Sequence, residues 1–366
     1  MQMVYIKRWL KKNNYRKQQL IFNDMNDNKL NKYVGYWLLT GCMMILVQVI
    51  LGGITRLTGS GLSITEWKAI LGFIPPMNEA EWQIVFEKYK ASSQFALINS
   101  TMDVAGFKQI FFWEYFHRLW ARSIGVVFIV PFVYFILKGW LNKKMIPHLV
   151  VLFALGGIQG LVGWLMVSTG LKDRAWVTPF SLTAHLLLAT ITFAYLVWVY
   201  VDLFLQSGFI KVKHSTVYWL NFLIFVCAFQ MMLGGFMAGT HAATFFRTWP
   251  LMNGNYIPEN VYNTATSITN NFLDNPAFIQ FAHRNLAYVL SVLLLWFWYK
   301  NKSAIGIKSF MLVPYMLLLQ VMMGIVTLIF TTDKVPLFWG VAHQSGALIL
   351  LSLLLITRFR ISSKIL

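Results

Sequence analysis

Eight long apolar segments, separated by polar loops, dominate the pattern of this chain of 366 residues. Each segment is long enough to cross a hydrocarbon core of about 30 Å at a helical rise of about 1.5 Å per residue. The pattern therefore predicts an all-α membrane protein with eight transmembrane helices. The predicted spans cover residues 33–54, 111–138, 147–169, 178–204, 216–239, 278–300, 309–331 and 336–358.

The apolar segments form two similar sets of four, because short motifs recur in the same order in both sets. Glutamine followed four residues later by glycine occurs in the odd-numbered spans, and a histidine occurs in each even-numbered span. Units with an even number of spans share one orientation, so the sequence predicts two parallel-repeat four-helix bundles. The matching motifs are Gln48–Gly52 and Gln230–Gly234, His117-Arg118 and His283-Arg284, Gln159–Gly163 and Gln320–Gly324, and Thr183-Ala-His185 and Val341-Ala-His343.

This repeat divides the chain into three predicted parts. A basic tail on the inside, residues 1–32, precedes the N-terminal four-helix half, residues 33–204, which has a long outside loop at 55–110. The C-terminal four-helix half, residues 205–366, has its own outside loop at 240–277. Each half is therefore expected to carry a site of its own.

Composition and charge support the membrane assignment. Only 12% of the residues are charged and 57% are hydrophobic, whereas a soluble domain has about 25% charged residues. A net charge of +18 suggests nucleic acid at first, but the basic residues concentrate in the tail and in alternate loops, as at Lys143 and Lys211. This is the positive-inside pattern of membrane topology. We therefore expect a protein of the lipid bilayer with both termini cytoplasmic and no bound nucleic acid.

Four histidines lie near the outer ends of the even-numbered spans: His117, His185, His283 and His343. An imidazole inside a bilayer is costly unless it has a partner, although a single one could simply be hydrogen-bonded within a bundle. Two histidines on neighbouring helices suit the axial positions of a haem iron, whereas zinc or copper would need further cysteine, histidine or carboxylate ligands. The duplicated pattern therefore predicts two bis-histidine haem sites. The histidines at loop edges are interpreted as ordinary surface residues: His148, His214 and His241.

The two halves differ at one position with chemical consequences. Glu114 lies three residues before His117 on the same helix face, whereas Gln280 has this place before His283. A carboxylate within a membrane span is a functional candidate by default. The alternatives are that Glu114 only pairs with Arg118 one turn on, or that it lies at the wet outer edge. The difference suggests that the first half handles a haem that undergoes chemistry, while the second holds a permanent haem.

Several arginines lie beside the histidines or near the outer boundary of the spans. Guanidinium groups form strong paired hydrogen bonds with carboxylates, so these arginines are candidate contacts to haem propionates or to the surrounding pocket. The candidates are Arg56, Arg118, Arg122, Arg174, Arg247 and Arg284.

Three groups of residues resemble the haem A synthase family of cytochrome oxidase assembly enzymes. They are the run Gly52-Gly-Ile-Thr-Arg56-Leu-Thr-Gly-Ser-Gly-Leu-Ser63, the motif Glu114-x-x-His117-Arg118 and the later histidines, and the resemblance covers all eight spans. The sequence is most similar to the alphaproteobacterial and mitochondrial branch. Another branch has a cysteine pair in the first outside loop. Here Cys42 and Cys227 both lie in predicted spans, so no disulfide or cysteine metal site is expected.

The resemblance implies an oxidoreductase that converts the C8 methyl group of haem O, through hydroxylated intermediates, to the formyl group of haem A. It implies that His117 and His185 hold the substrate haem, that Glu114 assists the chemistry, and that His283 and His343 ligate haem b. The implied partners are haem O synthase, which is a prenyl-transferring enzyme, and an unidentified electron acceptor; a homo-oligomer is compatible with the family. The expected location is the bacterial cytoplasmic membrane, or the mitochondrial inner membrane for an organellar protein.

The residues alone leave two other classes of protein open. A non-catalytic dihaem electron carrier of the b type explains the four histidines, but it gives no reason for Glu114 in one half only. A transporter with parallel repeats explains the duplication, but it gives no reason for histidines at matched positions. The haem content of the purified protein separates the three classes.

Overall fold

Helices account for nearly all of the regular structure in the computed structural model, which describes residues 32–66, 72–173, 175–204 and 209–363. Two short strands, β1 (Ile210–Val212) and β2 (Ile361–Ser363), are the other regular elements of this part of the chain. In chain order the helices are α1 (Lys32–Leu57), α2 (Glu79–Lys90), α3 (Ser93–Ile98), α4 (Val104–Leu137), α5 (Ile146–Asp173), α6 (Pro179–Phe204), α7 (His214–Gly239), α8 (Ala242–Phe245), α9 (Ile268–Asp274), α10 (Pro276–Ile305), α11 (Lys308–Ile329) and α12 (Leu337–Arg360).

Eight of these helices are long and apolar enough to cross a membrane, and they coincide with the eight predicted spans. Their most apolar windows have a mean hydropathy between 1.3 and 2.2. The prediction of an all-α, multi-pass membrane protein is therefore confirmed. The spanning helices are α1, α4, α5 and α6 in the first half, and α7, α10, α11 and α12 in the second.

Helix α4 is longer than predicted at its outer end, because it begins at Val104 rather than near residue 111. Asp103 caps this end, since its carboxylate accepts a hydrogen bond of 2.8 Å from the backbone nitrogen of Gly106. The additional turns pack against α2, where the ring of Phe107 stacks on that of Tyr89 with their centroids 5.1 Å apart. Part of the predicted outside loop at 55–110 is therefore a folded cap that holds the outer end of α4. Its buried cluster consists of Phe86, Tyr89, Phe107, Ile110 and Phe111.

The two halves meet through α1 and α12 on one side and through α6 and α7 on the other. A Cβ atom on Gly53 of α1 would lie 3.1 Å from the side-chain oxygen of Gln344 on α12. A Cβ atom on Gly235 of α7 would lie 2.9 Å from the hydroxyl oxygen of Thr183 on α6. Glycine allows helix backbones to approach this closely. The same kind of junction is therefore formed twice.

A continuous apolar core and a short strand pair join the inner ends of the helices, on the side where α1 begins. The core includes Leu38 of α1, Leu149 of α5 and Leu354 of α12, each exposed by 1% or less. Strands β1 and β2 pair in parallel, with Ile210 opposite Ile361. This pairing places the connection between the halves beside the segment that follows α12, so both lie on one side. The sequence did not predict these strands, because three residues are too few to show the alternation of apolar and polar side chains that indicates a strand.

This arrangement, together with the positive-inside rule, predicts that Lys143 and Lys211 face the cytoplasm and that Glu81 and Asn255 face the opposite side. Each residue is replaced singly by cysteine, and intact cells are treated with a membrane-impermeant maleimide. We expect labelling at positions 81 and 255 alone. The two native cysteines are buried and provide the unlabelled background. Labelling at position 143 or 211 in intact cells would contradict the eight-span topology.

Candidate functional site

Each of the four predicted histidines lies against a glycine of the preceding spanning helix. A Cβ atom on that glycine would lie between 2.7 and 3.5 Å from a ring atom of the histidine. The distances of 2.9 Å at Gly163 and 2.7 Å at Gly324 are too short for a real Cβ atom, so glycine preserves the room for these two imidazoles, whereas 3.4 Å at Gly52 and 3.5 Å at Gly234 are ordinary van der Waals contacts. The four pairs are Gly52–His117, Gly163–His185, Gly234–His283 and Gly324–His343.

Each histidine is also bonded by the glutamine that lies one turn before that glycine. In three of the four cases the side-chain nitrogen of the glutamine lies 3.1 Å from Nδ1 of the histidine ring. In all four cases this nitrogen donates to the backbone oxygen of the histidine, at 3.3 Å for Gln48, 3.1 Å for Gln159, 2.9 Å for Gln230 and 2.8 Å for Gln320. We call this repeated arrangement of three residues the Gln–Gly–His unit.

The Gln–Gly–His units fit histidines that bind a metal. An imidazole that ligates a metal through Nε2 carries its proton on Nδ1, and this N–H needs an acceptor. Within the described residues, the side-chain oxygens of all four glutamines are buried without a hydrogen-bond partner. At His343 the acceptor is the backbone oxygen of Gln320, which lies 3.1 Å from Nδ1, while the side-chain nitrogen of the same glutamine donates to the backbone oxygen of His343. The glutamine motifs signalled the repeat in the sequence, but their contact with the histidines was not predicted.

The two histidines of each half come together. The ring centroids of His283 and His343 are 6.4 Å apart, with their planes at 76° to one another. Two imidazoles that bind one metal from opposite sides, each through a bond of about 2 Å, place their centroids about 6 Å apart. His117 and His185 are close enough to interact electrostatically. Each half therefore offers the paired imidazole donors that suit a haem iron.

Glu114 is buried on α4, with 2% of its surface exposed, and both carboxylate oxygens accept hydrogen bonds. One oxygen accepts from the hydroxyl of Ser63 at 2.7 Å and from the backbone nitrogen of Ile64 at 2.8 Å. The other accepts from the guanidinium of Arg118 at 2.5 Å. Glu114 thus fastens the segment after α1 to α4, one turn before His117. The alternative of a wet outer edge was wrong, while the pair with Arg118 is present and the other two bonds were not predicted.

The second half fastens its equivalent segment with a neutral amide. Gln280 occupies the position of Glu114 and donates a hydrogen bond of 2.7 Å to the backbone oxygen of Phe246. Phe246 follows Gly235 by the same number of residues as Ile64 follows Gly53, so the two residues are equivalent in the repeat. Arg284 donates to two further backbone oxygens of this segment, at 2.8 and 2.9 Å. The clamp is repeated, but at this position the first half alone has a carboxylate.

Known proteins are similar to this chain over most of their length. Residues 35–355 match the family of cytochrome oxidase assembly proteins. A haem A synthase of Nitrosomonas eutropha is 41% identical over 328 residues, which are 87% of this chain and 90% of that protein. The chain belongs to the haem A synthase family. A haem A synthase of Parvibaculum lavamentivorans is 38% identical, with 86% and 90% covered, and one of Flavobacterium johnsoniae is 38% identical, with 91% and 99% covered.

In this member of the family, most of the candidate arginines bond to the protein itself. Arg118 and Arg284 clamp the outer segments to α4 and α10. Arg247 bonds the Thr244 backbone oxygen at 2.8 Å and Asp333 at 3.2 Å, and Arg122 lines an outer cavity of about 310 Å³ beside Arg118. Arg174 lies outside the described residues. The assignment of arginines to haem propionates stays a prediction.

Arg56 joins the two halves at their outer ends. From α1 it donates to the backbone oxygen of Ala238 in α7 and lies 2.9 Å from Nε2 of His241. Its guanidinium stands 5.3 Å from the ring centroid of Trp176, and that ring is 4.8 Å from the ring of His241. His241 is therefore part of the contact between the halves. Its interpretation as an ordinary surface residue was wrong, because the loop edge folds back onto α1.

The contact between Arg56 and His241 predicts a pH-dependent stability. Burial, and then the charge of Arg56, lowers the pKa of His241 to about 4. An unfolded histidine has a pKa of about 6.5, so between these values the unfolded chain binds a proton that the folded chain excludes. The free energy of unfolding is therefore unaffected above about pH 6.5 and falls below it, by about 2 kcal/mol at pH 5.

The measurement is the thermal unfolding midpoint of the purified protein at pH 7.5 and pH 5. His241→Asn is the matched variant, because asparagine does not titrate and tolerates the φ of 55° at this position. We expect the variant to lose less stability than the wild type between the two pH values. An equal loss in both proteins would remove His241 from the pH dependence.

Proposed function

We propose that this chain is a haem A synthase, which oxidises the C8 methyl group of haem O to the formyl group of haem A for cytochrome oxidase. Relatives that share 36–41% of its residues carry this name. The observation that carries the proposal is the chemical difference between two otherwise equivalent histidine sites. The buried carboxylate of Glu114 lies one turn from His117, whereas the amide of Gln280 lies one turn from His283. A carrier of two equal haems would have no use for this difference.

We assign the second half to haem b, with His283 and His343 as its axial ligands. The separation of 6.4 Å between their ring centroids supports this assignment. A haem b bound there would supply a one-electron redox centre. The task of the protein is to hold both imidazoles in one orientation, which Gln230 and Gln320 do through their contacts with ring and backbone.

We assign the first half to haem O, which is the substrate, held by His117 and His185. Oxidation of a methyl group releases protons and develops charge, so a fixed carboxylate can accept a proton or stabilise that charge. Glu114 is the proposed catalytic residue. Its bonds to Ser63, Ile64 and Arg118 hold the carboxylate at one place, which supports a defined position relative to the substrate.

The proposed reaction also needs partners and a location. Conversion of the methyl group to a formyl group removes electrons and adds an oxygen atom, so the reaction needs an electron acceptor and an oxygen donor, and haem O synthase is the proposed source of the substrate. The eight spanning helices and the basic inner loops support a bacterial cytoplasmic membrane with both termini in the cytoplasm. An organellar protein of this kind would lie in the mitochondrial inner membrane.

The two assignments predict that each histidine pair controls a different porphyrin. Protein purified from cells that make haem O should contain haem O or haem A together with haem B. His117→Ala should remove haem O and haem A and leave haem B, because the second pair is intact. His283→Ala should remove haem B and its low-spin spectrum. Porphyrins are extracted from equal amounts of each protein, separated by chromatography and identified by mass.

His148→Ala is the control, because His148 bonds Tyr195 at 2.8 Å and belongs to neither pair. This variant should keep both porphyrins. Haem B as the sole pigment of the wild type would support the dihaem carrier, and a protein without haem would support the transporter. Either result would overturn the proposed function.

Glu114→Gln tests the carboxylate, because it removes the charge and the titratable proton and recreates Gln280. Donors face both oxygens of Glu114, namely Arg118 on one side and Ser63 and Ile64 on the other, so the NH2 group of an amide would meet a donor whichever way the amide is turned. We expect haem A formation to fall roughly 100-fold, with haem O or a hydroxylated intermediate accumulating. The measurement is the ratio of haem A to haem O in membranes that contain equal amounts of each variant.

Ser63→Ala is the matched control, since it removes one hydrogen bond to the same carboxylate and leaves its charge in place. We expect this variant to lose at most a few-fold in haem A formation. Equal losses in Ser63→Ala and Glu114→Gln would show that Glu114 acts only through the clamp. Near-normal haem A from Glu114→Gln would remove the carboxylate from the mechanism.

A further inference from the structure

The first half contains an apolar cavity of about 300 Å³ inward of its histidine pair. Small-molecule pockets in proteins enclose about 300–1,000 Å³, so this cavity is large enough for part of a ligand. Its α4 wall runs from Ala121 to Phe128, which is about 6–17 Å inward of His117 at about 1.5 Å per residue. All four spanning helices of this half contribute to its lining, including the small residues Gly41, Gly125, Gly156 and Thr192.

The cavity exists because glycines stand where side chains could project. A Cβ atom on Gly125 of α4 or on Gly156 of α5 would meet no atom within 4 Å. Open space therefore reaches the backbone of both helices. Helix packing alone does not explain these two glycines, since no neighbouring helix approaches them.

The second half has leucine at three of the four equivalent positions and serine, Ser291, at the position of Gly125. Counted from the repeated glutamines and histidines, three small residues of the first half correspond to three leucines that lie in the main apolar core. These leucines are 0%, 5% and 3% exposed. Their side chains fill the space that stays open in the first half. The correspondences are Gly41 with Leu223, Gly156 with Leu317, and Thr192 with Leu350.

The cavity reaches the lipid-facing surface between α4 and α5. Ala121 on α4 and Gly156 on α5 both line the cavity, and both are exposed. Only 6% of the most apolar window of each of these helices is buried, compared with 28% and 22% for the equivalent helices α10 and α11. An apolar group can therefore pass from the bilayer into the cavity without crossing a polar surface.

We propose that this cavity binds the prenyl chain of haem O. The proposal rests on the proposed function, because haem O carries a prenyl chain that haem b lacks. The difference between the two porphyrins matches the difference between the two halves: the cavity is open beside His117 and His185 and filled with leucine beside His283 and His343. In the bilayer the chain is already in an apolar environment, so van der Waals contacts with the cavity walls would hold it there. The carboxylate asymmetry concerns the reaction, whereas the cavity concerns recognition of the substrate.

Gly156→Leu and Thr192→Leu test the proposal, because each places in the first half the residue that fills the second. The proteins are purified from cells that make no haem O and titrated separately with haem O and with haem B. We expect the affinity for haem O to fall about tenfold or more, which corresponds to loss of a few buried carbon atoms. Binding of haem B, which has no prenyl chain, should stay as in the wild type. Ala154→Leu is the matched control, because Ala154 is exposed on α5 and does not line the cavity.

Haem B retained in the second half reports that each variant is folded. Unchanged haem O affinity in either folded variant would overturn the proposal. If a lipid then co-purified with the wild type but not with the variant, the occupant of the cavity would be an acyl chain. An equal loss of haem O and haem B from the first half would also overturn it, because the cavity would then hold the porphyrin ring. A wild-type protein that binds no haem O would instead contradict the proposed function, so the two failures are distinguishable.

Discussion

The buried imidazoles impose the main constraint on this structure, because a polar ring inside hydrocarbon is unfavourable without hydrogen-bonding partners. The Gln–Gly–His unit satisfies this constraint by contacts between two consecutive spanning helices. The glutamine bonds the ring and backbone of the histidine, and the glycine leaves room for the ring. Each unit therefore fixes one helix pair, namely α1 with α4, α5 with α6, α7 with α10, or α11 with α12. The geometry of the ligands and the packing of the bundle are consequences of the same contacts.

Differences between the halves are informative because so much else is equivalent. Both halves clamp their outer segment with an arginine and with the residue one turn before a histidine. Against this common framework, the first half has a carboxylate at Glu114 and a cavity bordered by Gly156 and Thr192. Glu114 lies on α4 outward of His117, and the α4 wall of the cavity lies inward of it. A substrate with a reactive group and a long apolar chain would require both, whereas a permanent haem requires neither.

The sequence predicted the parts of the structure that depend on local pattern. Apolar runs predicted the eight spans, and the order of the motifs predicted which histidines of the two halves are equivalent. A helix between Glu79 and Phe95, lying on the outer face or within a solvated loop, was compatible with the sequence, but the packing of this segment against α4 was not predicted, because its buried aromatic residues alternate irregularly with charged ones. The contact of Arg56 with His241 was missed because it joins residues 185 positions apart and depends on how the halves pack. The glutamines were recognised as a repeated motif, but their hydrogen bonds to the histidines were not predicted, because these bonds depend on how the neighbouring helix packs.

The same packing brings the two histidine sites close to one another. In each half, the first glycine of a Gly-Gly pair touches a histidine of its own half, and the second touches a helix of the other half. Gly52 touches His117, while Gly53 touches Gln344, the residue after His343. The other glycine pair repeats this contact on the opposite side, against α6. Electrons move rapidly only between closely spaced centres. If the first half holds the substrate haem and the second a haem b, as proposed, halves joined through paired glycines would favour electron transfer within one chain.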